Sequence, residues 1–375
     1  MDSETQSQFS PQDTLLFDLV FQRIEKSPGD SISFADYVEL VLYHPEKGYY
    51  ARPHERVIGR GGDFFTSVSV GECFGFLLAQ RLLREWRTVL DEDAPLVVVE
   101  QGAHDGRLAR DVVDAIRELA PDRLDRFSYC IIEHRDSIRT WLSSELEKEG
   151  YGDVIEVFSD FDEAWSEQGV FLANELLDAF PFHRAVIENG EWRELAVGWE
   201  DGPAWVVRDL DGALAELLPD PSGFSEGYET EVCPFLRPWT RDASTLFRRG
   251  LWWVIDYGYL ADDYFAPSRS KGTYRCYREH KASEKPFEAL GETDITVHVN
   301  FSDLRRESES VGLSWRHYTD QHHFLIDSAR EWLLSIEGAP PAGKHAQRLR
   351  QFQTLTHPGL MGQQFKVAEL SRGID

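Results

Sequence analysis

The run Leu96-Val97-Val98-Val99-Glu100 constrains this chain more than any other segment, being apolar at every position until its final acid. A strand with one wet face alternates apolar and polar residues. An unbroken apolar run of this length predicts a strand covered on both faces, as in a parallel sheet flanked by helices. It is followed at once by Gly102-Ala103-His104-Asp105-Gly106. Leu108, Val112, Val113, Ile116 and Leu119 then recur at helical spacing, stopped by Pro121. A strand, a glycine turn and a helix in that order put bare backbone at a helix N-terminus, where a ligand can approach closely.

The same rhythm returns downstream. Tyr129–Glu133, Val154–Phe158, Gly169–Ala173 and Trp252–Asp256 predict further strands, with helical patterns between them. Strands alternating with helices predict a doubly wound, Rossmann-like α/β sheet. Upstream, the spacing predicts helices over Thr14–Ile24 and Phe34–Leu42, the second capped by Ser33 and ended before Pro45. A third helix carries Phe74, Leu77, Leu78, Leu82, Trp86 and Val89, and the capping-box spacing of Ser69 and Glu72 predicts its start. Between His183 and Gly250 the rhythm breaks. There Arg184–Glu188 and Trp192–Val197 flank Asn189-Gly190, a hairpin signal that predicts an antiparallel insertion. Trp315–Thr319 and Phe365–Leu370 predict two more short strands.

Charge narrows the partners. In 375 residues, 39 basic side chains face 66 acidic ones, a formal net charge of -27. Such a surface repels phosphates and anionic lipid, so neither nucleic acid nor membrane is expected as a partner. Cys73, Cys130, Cys233 and Cys276 are far apart and form no CxxC pair, which argues against a zinc site or a disulfide framework. The start Met1-Asp2-Ser3-Glu4 lacks the features of a signal or transit peptide, and no apolar run is long enough to span a bilayer. The chain is therefore read as cytoplasmic.

Candidate chemistry lies at strand ends. Glu100, Gly102 and Gly106 mark the first turn, and Glu133 closes the next strand, where an acid can accept both hydroxyls of an adenosine ribose. That pairing suits S-adenosylmethionine (SAM) and nicotinamide dinucleotides alike. The dinucleotide fingerprint, however, needs glycines where this chain has Gly102, His104 and Arg107, so a dehydrogenase is disfavoured. Asn174 and Glu175 end the fourth strand, where they can orient an acceptor amine or guanidinium; capping the following turn is the alternative for Asn174 and Asp178. Gly61-Gly62-Asp63 with Thr66 and Ser67 forms a loop able to hold the carboxylate of the methionine part of SAM. Asp256–Tyr259, Gly272–Tyr277 and His280 are candidates to line an acceptor pocket. His322 and His323 are adjacent, a poor metal geometry, and are read as structural.

These segments resemble the MidA-like family of SAM-dependent methyltransferases. The resemblance is carried by Tyr43-His44-Pro45, Gly48-Tyr49-Tyr50, Gly62-Asp63-Phe64 with Thr66-Ser67, Asn174–Ala179, Asp256-Tyr257-Gly258, Gly272–Arg275, His280, Asp294-Ile295-Thr296, His298-Val299, Met361-Gly362 and Phe365-Lys366-Val367, in the family's order. It implies a class I methyltransferase core over 93–182 and 251–375. An N-terminal helical segment with a cofactor-covering loop would occupy 1–92, and the hairpin insertion 183–250. It also implies SAM as cofactor, held by Asp63, Thr66, Glu100, Gly102, Gly106 and Glu133, with Asn174 and Glu175 as catalytic residues. The implied reaction is methylation of a protein arginine, linked to assembly of respiratory complex I. Two departures stand out. The family's Gly-Pro-Gly-Arg-Gly turn is Gly102-Ala103-His104-Asp105-Gly106 here, and its Thr-Ser-Pro-Glu is Thr66-Ser67-Val68-Ser69. They motivate the alternative expectation, a methyltransferase-fold binding or assembly protein without activity.

Overall fold

A computed structural model of the chain describes residues 11–51, 66–278, 281–338 and 342–374. It separates into two compact units. One gathers residues 1–56, 178–236 and 260–298, and the other 57–177, 237–259 and 299–375. These boundaries differ from those expected at 92, 182 and 250. The helix Cys73–Thr88 falls with the parallel sheet, whereas residues 260–298 leave it for the unit that holds the hairpin insertion.

In chain order the strands are β1 (Leu96–Gln101), β2 (Phe127–Ile132), β3 (Ile155–Phe158), β4 (Ser166–Asn174), β5 (His183–Glu188), β6 (Glu191–Trp199), β7 (Pro203–Asp209), β8 (Glu229–Val232), β9 (Phe247–Tyr259), β10 (Arg275–Arg278), β11 (Lys281–Ser283), β12 (Asp294–Thr296), β13 (Val299–Asn300), β14 (Ser314–Asp320) and β15 (Phe365–Arg372). The eight-stranded sheet of the larger unit runs β14-β15-β9-β4-β1-β2-β3, with β13 beside β9. From β3 to β9 every pairing is parallel; β15 then enters antiparallel between β9 and β14. Order reverses at β1, whose neighbours are β2 and β4, and this reversal is where α/β sheets open a ligand crevice.

The apolar run of β1 is buried as its pattern requires. Leu96 and Val98 join Phe74, Leu77, Leu108, Val112 and Ile116 in one core with the helices Cys73–Thr88 and Arg107–Leu119. Each fully buried valine or leucine there stabilises the fold by about 1.5–3 kcal/mol. The predicted strand ends hold to within a few residues, but the start of Cys73–Thr88 does not follow the expected Ser69–Glu72 box. Gly71, at φ 140°, breaks the backbone before Cys73, and Ser69 is engaged one turn earlier. There Thr66 N–H donates to Ser69 Oγ at 3.0 Å and Ser69 N–H to Thr66 Oγ1 at 3.1 Å.

The smaller unit carries the antiparallel sheet β7-β6-β5-β8 and the sheet β11-β10-β12. The β5–β6 turn has positive φ at both Asn189 (55°) and Gly190 (78°), the backbone that this dipeptide favours. Helix Phe34–Tyr43 begins as expected, with Asp36 N–H donating to Ser33 Oγ at 3.0 Å, and stops before His44-Pro45. A bridge between Ile32 and Val197 ties it to β6. Gly272-Thr273-Tyr274 wraps the buried Glu231 carboxylate, which accepts both backbone N–H groups and the Thr273 hydroxyl. This stretch is thus engaged within its own unit, while His280 lies outside the described residues.

Gly169 and Gly250 sit opposite each other on β4 and β9. Between them they clear a slot for the buried Phe247 ring: a Cβ on Gly169 would lie 2.4 Å from that ring and 2.4 Å from the Val97 carbonyl oxygen. The backbone oxygen of a central strand cannot yield. Gly169→Ala is expected to lower stability by about 3 kcal/mol. Urea unfolding would read this as a lower midpoint at unchanged slope.

Candidate active site

The parallel strands end nearly in step. Gln101 of β1 is level with Ile132 of β2 and Ala173 of β4, and Asn174 with Ile255 of β9. Each strand therefore releases its last polar residues at one edge, the position doubly wound sheets use for chemistry.

In the turn after β1, Gly102 and Gly106 take φ of 85° and 75°, and His104 adopts φ 50°. An L-residue in the left-handed region costs about 1–2 kcal/mol, a cost this turn accepts at His104. Gly106 N–H closes on the Ala103 carbonyl at 2.7 Å, and the Asp105 carboxylate accepts Arg107 N–H at 3.0 Å as the helix begins. A Cβ on Gly102 would press on Leu176 Cδ1 at 3.1 Å, and one on Gly106 on Leu142 Cδ1 at 3.0 Å. Side chains are thus excluded from the inner side of this turn by the core itself.

Four acids terminate strands here, and each is neutralised differently. Glu100, expected to touch the cofactor, is instead turned into the core. It shares the face of β1 with Leu96 and Val98, and Tyr129 Oη donates to its Oε2 at 2.8 Å. Burial pushes its carboxyl up to about 7 against that hydrogen bond, with the Asp105 charge adding to the rise. Glu133 follows β2 and is partly buried. Its Oε1 accepts Arg135 N–H and Nε–H, both at 2.9 Å, and its Oε2 accepts Arg135 Nη2 at 2.8 Å. Asp256, wholly buried in β9, accepts Leu176 N–H at 3.2 Å, Leu177 N–H at 2.8 Å and its neighbour Tyr257 N–H at 2.8 Å.

Glu175 is the fourth and the least satisfied by charge. It sits just past β4 at φ 51°. Its Oε1 accepts Ser67 N–H at 3.1 Å and Asn174 Nδ2 at 3.3 Å. No cation pairs with it among the described residues. Burial pushes its carboxyl up to about 8; the Ser67 N–H opposes this, the Asp256 carboxylate reinforces it, and the Asn174 amide opposes it weakly. Beside it the Asn174 Oδ1, buried, accepts no hydrogen bond. The capping role open to Asn174 is thus filled by Asp256 from the neighbouring strand.

Of the remaining candidates, Thr66 is buried next to Ser67 and paired with Ser69, whereas Asp63 lies outside the described residues. Ser67 brings this loop directly onto Glu175. His322 and His323 are structural, with Nδ1 of each within 2.6 Å of the Thr356 carbonyl and the Asp320 carboxylate respectively. No disulfide joins the four cysteines, no described helix is long and apolar enough to cross a membrane, and no described His, Cys, Asp and Glu side chains group to hold a metal. Two residues escaped sequence reasoning. Arg135 is one of many surface arginines in the sequence, and Gln321 lies 254 residues from the Ser67 that it contacts.

The sequence profile of a family described as S-adenosyl-L-methionine-dependent methyltransferases matches residues 77–319. The chain is 27% identical to the human protein named protein arginine methyltransferase NDUFAF7, mitochondrial, over 92% of this chain and 81% of that one. It is 25% identical to the Drosophila melanogaster homologue of that protein, over 92% and 82%. A Burkholderia thailandensis protein, whose crystal structure contains S-adenosyl-homocysteine, superposes with a TM-score of 0.82 at 27% identity, covering 97% of this chain and 93% of that one. The curated relatives are mitochondrial by name, which overturns the cytoplasmic expectation. Neither the cysteine spacing nor the hydropathy of the described helices distinguishes one compartment from another.

The raised carboxyl of Glu175 has a consequence for stability. In the folded chain it lies above the ordinary glutamate value of 4.5. The stability it contributes is complete below about pH 4.5 and is lost as pH rises through about 8. Glu175→Gln is expected to flatten the decline in unfolding free energy between about pH 5 and 8.5, leaving the smaller part due to Glu100. Urea titrations across that range check it, and an unchanged slope would show that Glu175 is already ionised.

Proposed function

The chain belongs to the S-adenosyl-L-methionine-dependent methyltransferase family, and from that premise we propose that it methylates the guanidinium of an arginine presented by a protein. The observation that carries this reading is the pair of acceptors after β4. Among the described residues, the buried Asn174 Oδ1 has no donor and the Glu175 carboxyl beside it has no cation. An unfilled buried acceptor is costly unless a ligand supplies the donor. A guanidinium offers five N–H groups in a planar fork and a permanent charge, which matches both needs. Arrival of a cation also favours the ionised form of Glu175, reversing the effect of burial. The name of the human relative, a protein arginine methyltransferase, points the same way. We take an arginine-presenting respiratory-complex subunit as the acceptor class, from the family resemblance.

The residues at the sheet edge fit SAM. The orphaned Asn174 Oδ1, the bare turn with positive φ at three positions and the Glu133 carboxylate suit a ligand with hydroxyl and amine donors. Gly102, Gly106 and Glu133 would hold it, with Thr66 beside it. When bound, SAM supplies the activated methyl group. Asn174 and Glu175 would orient the acceptor nitrogen toward it and localise the guanidinium charge, so that positioning accounts for most of the rate.

Calorimetric titration with SAM and with S-adenosyl-homocysteine is expected to show binding in about the micromolar range, weakened at least about tenfold by Glu133→Ala. With radiolabelled SAM and protein from cells lacking this chain, hydrolysis should release labelled methylarginine. Glu175→Gln should retain cofactor binding but slow that labelling by about 100-fold. Label in another amino acid, or full turnover by Glu175→Gln, would reject the arginine reading.

A further inference from the structure

Gln321 opens the helix Gln321–Ser328 directly after β14. Its side chain is wholly buried, as is that of Ser67. Gln321 Nε2 donates to the Leu355 carbonyl at 3.2 Å, and Ser67 Oγ donates to Gln321 Oε1 at 2.9 Å. The Leu355 carbonyl, one residue from the end of the helix Gly343–Thr356, can only accept. It therefore dictates which end of the Gln321 amide faces Ser67, and the Ser67 hydroxyl must act as donor. On the other side of that residue, Ser67 N–H donates to Glu175 Oε1. The Thr66–Ser69 pairing fixes the adjoining peptide.

We infer that Gln321 is a positioning residue: by clamping the Ser67 hydroxyl, it holds the Ser67 N–H on Glu175 and so aims the Glu175 carboxyl group at the acceptor. This rests on the role proposed above for Glu175. Ser67 N–H is the shorter of the two hydrogen bonds to Glu175 Oε1, at 3.1 Å against 3.3 Å for Asn174 Nδ2. The Asn174 amide is joined to Glu175 by sequence and turns with it. Among the described residues, only Ser67 ties the carboxyl by a hydrogen bond to a separate part of the fold, and that tie runs through Gln321 to the helix Gly343–Thr356. Among the described residues, the Gln321 amide alone bridges Ser67 Oγ and the Leu355 carbonyl, so its loss releases Ser67 at the point where it meets the site.

The test compares Gln321→Met, Ser67→Ala and the double variant in the full chain. Subtracting the infrared spectrum of Glu175→Gln isolates the Glu175 carboxyl band, whose frequency reports the hydrogen bond it accepts. Gln321→Met is expected to shift this band and to slow methylarginine labelling by about 10- to 100-fold. Ser67→Ala should do the same, and the double variant no more than either alone. In the double variant both partners of the buried contact are apolar, so its melting temperature should recover toward wild type while the band stays shifted. An unmoved band in Gln321→Met, with turnover falling only as far as stability does, overturns the inference. If the band moves yet Gln321→Met and Glu175→Gln both turn over like wild type, the role of Glu175 fails and takes this inference with it.

Discussion

The site depends on a carboxylate that never reaches solvent. Asp256 lies inside β9 with its oxygens on the amides of Leu176, Leu177 and Tyr257. Burying a charge without partners would be prohibitive, but three amide donors make the position tolerable. In return, the chain leaving β4 must turn sharply to deliver those amides. That turn forces Glu175 into the left-handed region and fixes Leu176 against Gly102. One buried acid thus bears on the geometry of a second and on the leucine packed against the glycine turn.

Four acids at one sheet edge would repel one another if all were free. Instead Glu100 is answered by a tyrosine, Glu133 by an arginine two residues on, and Asp256 by backbone. Among the described residues, Glu175 has one backbone amide and the side-chain amide of its own neighbour. Unequal compensation of similar groups is how a fold assigns them different work. The strain accepted at His104 and Glu175 fits the same picture, since residues in sparsely populated backbone regions persist where surrounding packing over-determines them.

Much of the fold was legible because its signals are local. The unbroken run at Leu96, the helical spacing after Gly106 and the Asn189-Gly190 turn each encode their own structure within a few residues. The place of Asn174 and Glu175 at the end of β4 was legible as well, since an apolar run marks where its own strand stops. What escaped was non-local. The Ser69–Glu72 spacing suggested a helix start that Gly71 forbids, and Glu100 was placed on the wrong side of its strand because a run apolar on both faces carries no parity signal. That Asp256, rather than Asn174, satisfies the amides after β4 follows from strand order, which no short segment contains.

The clamp at Ser67 joins parts of the chain 254 residues apart. Closing so long a loop gains nothing until the sheet has brought both ends together, so this contact forms after the strands it serves. It follows that assembly of the scaffold and assembly of the reactive edge are separate events. A molecule that has lost only the docking of its last helix keeps a sound sheet and a cofactor turn, yet has no aimed carboxyl. The edge is then the last part to form and the first to be lost, and competence can fade well before the fold does.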